Sequence, residues 1–216
     1  MKEATFYFDG ACLPVNPGGI STFGIVGIRK RKVIAEKFGV ISHSSTNNIA
    51  EWTAFIEALK EAQRLGITHL TLKGDSQLVV KQINNIWGVR DANLRKLYRQ
   101  AKELMKQFKQ VKVLWITREK NLADSVAHEA YIKHIEEKPR QRAEKEKYQV
   151  REIGLGKYEL TTEKGKVYIV QPDKPSCNCP FFRRMNSYKL HLRSGIIIRC
   201  KHIFAVQAYV ENKKYI

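Results

Sequence analysis

The sequence predicts an α/β fold: a mixed five-stranded sheet flanked by helices, followed by a small metal-stabilised module of ββα type. Three observations carry this expectation. Residues 1–135 pass between period-2 and period-3.6 apolar patterning in the order βββαβααβα. That order implies antiparallel hairpins first, then parallel strands joined by helical crossovers. Three of the four cysteines, Cys177, Cys179 and Cys200, then crowd the C-terminal region beside His202.

Residues 4–9, ATFYFD, alternate as a strand, and the glycine- and proline-rich GACLPVNPGG is expected to end it. Ile20 to Ile28 and Val33 to Ile41 make two further strands around the basic turn Arg29 to Lys32. Thr46 suits an N-cap. It opens a helix whose apolar positions Ile49, Phe55, Ile56 and Leu59 recur at helical spacing and which Gly66 terminates. Residues 67–74 form the fourth strand. Asp75 and Ser76 open a second helix through about Ile86, and a third runs from Ala92 to about Phe108. The continuous apolar run Val111 to Thr117 predicts a strand buried on both faces. A last helix is expected from Asn121 to about Ile135.

Three segments follow from composition: a first domain at 1–135, a charged linker or helix extension at 136–149, and a second domain at 150–216. In the last, Lys157 to Leu160 and Val167 to Val170 predict a hairpin around Gly165, and Cys200 to about Tyr209 a short helix. The chain has 216 residues and a net charge of +18. Residues 1–136 hold 21 basic and 13 acidic groups, and residues 137–216 hold 18 and 8. Such an excess points to a polyanionic partner, first of all nucleic acid, because phosphate contacts release counterions. An anionic membrane surface is disfavoured: there is no basic amphipathic anchor and no apolar run long enough to span. MKEATFYFDG lacks signal-peptide anatomy, so a cytoplasmic protein is expected, and a monomer.

In open α/β sheets, sites lie outside the carboxyl ends of parallel strands. Asp9 and Asp75 end the first and fourth strands, Glu51 enters from the helix between them, and Asp124 lies in the first turn of the last helix. Each acid has an ordinary explanation: a cap, a helix-dipole partner or a turn. Convergence without compensating Lys or Arg would instead create repulsion that hard divalent cations relieve.

With these residues in place, the chain resembles type 1 ribonuclease H. FYFDGAC with NPGG behind it, TNNIAEW, KGDSQLVVKQI and WITREKNLADSVA stand in that family's order over roughly residues 1–135. The resemblance implies a ribonuclease H-like sheet and hydrolysis of the RNA strand of RNA/DNA hybrids, leaving 5′-phosphate products. It implies two Mg²⁺ or Mn²⁺ ions per site held by Asp9, Glu51, Asp75 and Asp124. It further implies that Asn16, Asn47, Asn48 and Gln77, with backbone from Gly10 to Cys12, read the RNA strand, and that Thr46 holds a DNA phosphate. Neutral amides suit 2′-hydroxyls, which both donate and accept. Double-stranded RNA or DNA are further candidate partners. Two departures stand out. Arg118, Glu119 and Lys120 occupy the place of the histidine-bearing loop found in many members, so Arg118 is a candidate substitute, as in shorter archaeal-like forms. The basic protrusion is reduced to IWGVRDAN. His128 is expected to be a surface helix histidine.

Cys177, Cys179, Cys200 and His202 form C-x-C-x20-C-x-H. Thiolates and imidazole in a closed four-ligand set suit one structural Zn²⁺. CNCPFFRR and CKHIFAV resemble the SWIM-type zinc finger, whose family associations include DNA and protein. His191 is not expected to be a ligand. Phe181 and Phe182 are expected in the finger's own core, while Arg183, Arg184, Tyr188, Lys189 and Arg193 interleave basic and aromatic groups around them. Two rivals differ in class. A catalytically idle nucleic-acid adaptor gains nothing from four repelling acids, and a DNA nuclease or resolvase of the same superfold has no use for amides suited to 2′-hydroxyls.

Overall fold

The computed structural model describes residues 2–188 and 195–213. The chain divides into two compact units, Met1–Tyr131 and Ile132–Ile216, each with its own core. Lys189, His191 and Arg193 lie outside the described residues.

The first unit is built on strands β1 (Glu3–Leu13), β2 (Ile20–Arg29), β3 (Lys32–Ser42), β4 (His69–Gly74) and β5 (Gln110–Trp115). Their order in the sheet is β3-β2-β1-β4-β5. β1, β2 and β3 pair antiparallel, and β1 with β4 and β4 with β5 pair parallel. This is the mixed sheet the element order implies. β1 runs four residues past Asp9, further than its glycine suggests. Gly10 to Leu13 pair with Phe23 to Ile20, so backbone groups expected in a turn are satisfied by β2.

Helices α1 (Asn47–Arg64), α2 (Gln77–Ile83) and α3 (Ala92–Met105) connect these strands. Thr46 caps α1, its hydroxyl accepting from the Ile49 amide at 3.3 Å. Ala50, Ala54, Ala58 and Ala62, spaced by four and fully buried, make a low ridge along α1 that admits close neighbours. Beside it Trp52, Phe55 and Leu59 join Phe6, Phe8 and Leu72 of the sheet in the core. Phe8 and Phe55 meet edge to face with centroids 5.2 Å apart. α2 is shorter than expected because Asn84 caps it and Asn85 turns left-handed at φ 60°.

The expectation for β5 is overturned. Only Val113 is buried, and Leu114 and Trp115 are 47% and 48% exposed. β5 is the edge strand, bonded to β4 alone, so its apolar run is not enclosed on both faces.

Helix α4 spans Asp124–Lys145, carrying the charged segment in helical form through Pro139. At its start it is pinned to β2. Thr22 Oγ1 donates to the Ala127 carbonyl at 2.8 Å, and a Cβ on Gly24 would fall 2.4 Å from the Ala127 nitrogen. Only glycine permits that approach.

In the second unit β6 (Tyr148–Gly154), β7 (Lys157–Thr162), β8 (Val167–Gln171) and β9 (Ser176–Cys177) form an antiparallel sheet in chain order. Helices α5 (Pro180–Asn186) and α6 (Lys201–Lys213) complete it. The sheet is wider than the expected hairpin. β6 escapes notice because its alternation, Tyr148 and Val150 against Gln149 and Arg151, is short and sits in charged sequence. The core combines Leu160, Val170, Ile203 and Val206 with the three cysteines, and Phe181 and Phe182 pack against it as expected.

Glu136 is 3% exposed. It accepts from the Arg199 amide at 2.7 Å and from the guanidinium at 2.6 Å and 3.0 Å. Replacing Glu136 by Ala leaves Arg199 uncompensated. Because Arg199 is itself about a third exposed, the expected loss is ~2 kcal/mol, below the range for fully buried pairs. Urea unfolding followed by circular dichroism measures it; an unchanged midpoint contradicts the assignment.

Candidate active site

Asp9 lies two residues past the last parallel pair between β1 and β4, Tyr7 with Lys73, and Asp75 follows directly on β4. The two strand ends thus deliver both carboxylates to one place. Glu51, in the second turn of α1, reaches the same place because β1 and α1 nearly touch. A Cβ on Gly10 would lie 2.2 Å from both the Ala50 carbonyl carbon and the Glu51 nitrogen. Ligand oxygens of Asp9, Glu51 and Asp75 lie within 4.8 Å of one another.

Asp124 stands outside this triplet. It is ion-paired with Arg118 at 2.7 Å and with His128 Nδ1 at 3.5 Å. Burial alone would raise its pKa, but the hydrogen bond and charge of His128, with Arg118, hold it below the usual carboxylate range. The expectation of a surface histidine is corrected here: the His128 side chain is 13% exposed and faces Asp124 one helical turn away.

Among the described residues no Lys or Arg is ion-paired with the triplet. Asp9 is 5% and Glu51 7% exposed. Burial, followed by the charges of Glu51, Asp75 and Asp124, pushes the Asp9 carboxyl well above its ordinary range. Burial and then Asp75 raise Glu51 to about 8, against the opposing pull of the Gly10 amide, the Asn47 side chain and Arg118. Glu51 Oε1 accepts from Asn47 Nδ2 at 3.3 Å, while its buried Oε2 has no hydrogen-bond partner. An oxygen-only donor set with an orphaned carboxylate oxygen fits a hard divalent cation.

Asn121 is the residue that sequence reasoning missed. It is 5% exposed, and its Nδ2 donates to the Phe8 carbonyl at 3.0 Å and to Asp75 Oδ1 at 2.7 Å, while its Oδ1 accepts from the Ala123 amide at 3.2 Å. It therefore precedes the last helix instead of opening it, since its side chain is held by β1 and by Asp75. The only sequence signal is an amide three residues before an acid, in a helix-start context where amides are common.

The remaining candidates gather around the N-terminus of α1. Asn16 Oδ1 accepts from the Asn47 amide at 2.9 Å, joining the β1–β2 turn to the helix. Asn48 is exposed, as is Gln77, whose Oε1 accepts from Lys81 at 3.0 Å. Cys12 is buried, its thiol directed at the Val15 and Ser45 carbonyls at 3.3 Å and 3.4 Å, so it offers only backbone. Arg118 is exposed beside Asp124.

In the second unit Cys177, Cys179, Cys200 and His202 are all buried with ligand atoms within 4.8 Å of one another, and the cysteines are free thiols. Cys177 Sγ is 3.8 Å from His202 Nδ1. Hydrogen bonds with Cys177 and Cys200 pull the Cys179 thiol far down; the contact with Cys179 pushes Cys177 to about 11 against an opposing pull from Cys200, and the contacts with Cys177 and Cys179 push Cys200 up. Tyr168 stacks on the His202 ring with centroids 4.1 Å apart, and the buried His202 Nε2 has no partner. Soft donors at these separations fit a tetrahedral zinc ion.

Residues 8–130 match the family model described as reverse transcriptase-like. A bifunctional protein of Mycobacterium tuberculosis is 37% identical over 117 residues, 53% of this chain and 32% of that protein. Its N-terminal RNase H domain, solved as a fusion, superposes with a TM-score of 0.57 at 34% identity, covering 60% of this chain and 94% of that one. Ribonuclease HI of Halobacterium salinarum is 37% identical over 125 residues, 57% of this chain and 62% of that protein. LC11-RNase H1, solved in complex with an RNA/DNA hybrid, gives a TM-score of 0.57 at 27% identity, covering 61% of this chain and 99% of that one. The chain thus spans about a third of the mycobacterial relative's length and under two thirds of the halobacterial one's.

Glu51 sets a pH signature. With its pKa near 8 when folded against 4.5 as the ordinary value, the metal-free folded chain binds more protons than the unfolded chain between those limits. Stability therefore falls as pH rises through that window. Thermal melts in chelator from pH 5 to pH 8 are expected to show the decline, on the order of a few kcal/mol. Glu51→Gln is expected to flatten it and raise the midpoint at pH 8; a Glu51→Gln melt with the unaltered slope would remove Glu51 as its source.

Proposed function

The chain belongs to the reverse transcriptase-like family of ribonuclease H-fold domains, and on that premise we propose that it is a metal-dependent endonuclease hydrolysing the RNA strand of RNA/DNA hybrids. The observation that carries this reading is the meeting of Asp9, Glu51 and Asp75 at the ends of β1 and β4, with Glu51 Oε2 buried and unpaired. These acids, with Asp124, would hold two Mg²⁺ or Mn²⁺ ions. Bound there, the ions supply charge neutralisation and Lewis acidity for an in-line displacement at phosphorus.

The protein's own groups orient the site. Asn121 fixes Asp75, Asn47 fixes Glu51, and the Gly10 amide adds a further donor to Glu51. Around the α1 N-terminus the acceptor sides of Asn16 and Thr46 are engaged by backbone amides, which leaves the Asn16 NH₂ and the Thr46 O–H as donors toward a nucleic-acid backbone. Asn48 and Gln77 remain exposed to read 2′-hydroxyls. Arg118, ion-paired with Asp124, stands in the place of the histidine-bearing loop and offers a cation to the 5′-phosphate of the product.

The second unit is read as a zinc-stabilised nucleic-acid tether. Residues 132–216 carry 19 Lys and Arg against 9 Asp and Glu, and a unit this small with thiols in its core draws much of its stability from metal.

Strand-labelled hybrid, duplex DNA and duplex RNA, each with Mg²⁺, test the catalytic reading. Cleavage is expected in the RNA strand of the hybrid, and Asp75→Asn is expected to lower it by about a thousandfold or more; equal cleavage by the variant, or attack on DNA, overturns it. For the second unit, elemental analysis is expected to find one zinc per chain, lost in Cys200→Ser together with the folded signal of the unit. A chain that stays folded and zinc-free with wild-type cysteines contradicts the zinc assignment.

A further inference from the structure

A cavity of about 470 Å³ in the second unit is lined at its base by Cys179, Cys200 and His202 of the thiol cluster and opens outward from them. Its apolar lining includes Pro139, Phe181 and Met185, and its cationic lining Lys138, Arg142, Arg184 and Lys201; no Asp or Glu lines it. Lys138 and Arg142 stand at i and i+4 on α4, hence on one face, and Arg184 projects from α5. Lys201 is already paired with Glu146. Lys138, Arg142 and Arg184 are exposed and have no carboxylate partner among the described residues. Three uncompensated cations over an apolar hollow call for a ligand that is anionic on one side and flat and apolar on the other.

We propose that this cavity binds one unstacked nucleotide of a single-stranded nucleic acid, its base against Phe181 and Pro139 and its phosphates against Lys138, Arg142 and Arg184. The inference rests on the reading of the second unit as a nucleic-acid tether and names what that tether grips. The volume lies in the range of small-molecule sites and exceeds what a bare phosphate needs. A duplex cannot present a base here, since its bases are stacked inside the helix, whereas a single strand offers each π-face and its charges together. Pro139, lacking an N–H, also withholds the helical donor from the carbonyl of Ile135, another lining residue. The cationic lining separates this occupant from an apolar peptide, and the apolar hollow beside the cations separates it from a purely acidic one.

Fluorescence anisotropy with full-length, zinc-loaded protein tests this, using labelled oligo(dT), the same oligomer with abasic sites, and polyglutamate as probes. Oligo(dT) is expected to bind about tenfold or more tightly than the abasic strand. Arg142→Ala with Arg184→Ala is expected to weaken oligo(dT) about tenfold near 0.1 M salt and to lower the slope of log affinity against log salt by about one to two. The corresponding Lys pair is expected to restore most of the binding. Zinc content and circular dichroism of each variant verify that the unit is folded. Equal binding of the abasic strand, polyglutamate binding as tightly as oligo(dT), or an unaltered salt slope in the folded alanine variant overturns the proposal. Those outcomes leave hybrid cleavage untouched, and loss of RNA-strand cleavage would strike the catalytic reading while leaving the oligo(dT) comparison to decide this one.

Discussion

The acidic site depends on a contact that uses no carboxylate: the backbone of β1 at Gly10 lying against the backbone of α1 at Ala50 and Glu51. No side-chain carbon fits between them. The alanine ridge of α1 continues this approach along the helix, and Phe8, Trp52 and Phe55 fill the space beside it. Hydrophobic burial holds the helix down, and Glu51 is carried into the interior as a consequence. The free energy that brings three carboxylates within reach of one another comes from apolar packing, because the acids themselves oppose it.

The sequence made the sheet and three of the acids legible for a physical reason. Strand and helix periods are local, and Asp9 and Asp75 fall at strand ends where any parallel pairing brings them together. What it hid was tertiary. Asn121 looks like an ordinary helix-start amide until Phe8 and Asp75 are placed around it. His128 looks exposed because its place one turn after Asp124 does not show that the face they share turns inward. β5 reads as an enclosed strand because an apolar run does not say which strand will be at the edge. In the second unit, β6 was masked by charges that solvate one face of a short strand.

The two units solve opposite problems of charge. In the first, three carboxyl groups gather with no ion pair to a cation among the described residues, so the folded state is poised for a divalent ion. In the second, cations gather on the surface over a core that closes around three thiols and an imidazole. Both arrangements oppose folding of the bare chain to some degree, and both are relieved by a partner of opposite sign. Ligand binding and stability are therefore coupled at each end of the molecule, through hard oxygen donors in one case and soft sulfur in the other.

Trp115 closes the account. Its indole N–H donates to the carbonyl of Asp75 at 3.0 Å while nearly half of its surface meets solvent. Trp52, by contrast, is sealed in the core with its N–H on Gln82. The edge position that left β5 uncovered thus gives the chain an intrinsic optical reporter: a fluorophore at the water boundary, hydrogen-bonded to the residue whose carboxylate would receive the metal. Its emission is read together with that of buried Trp52 and of Trp87, itself 44% exposed, with no dye attached.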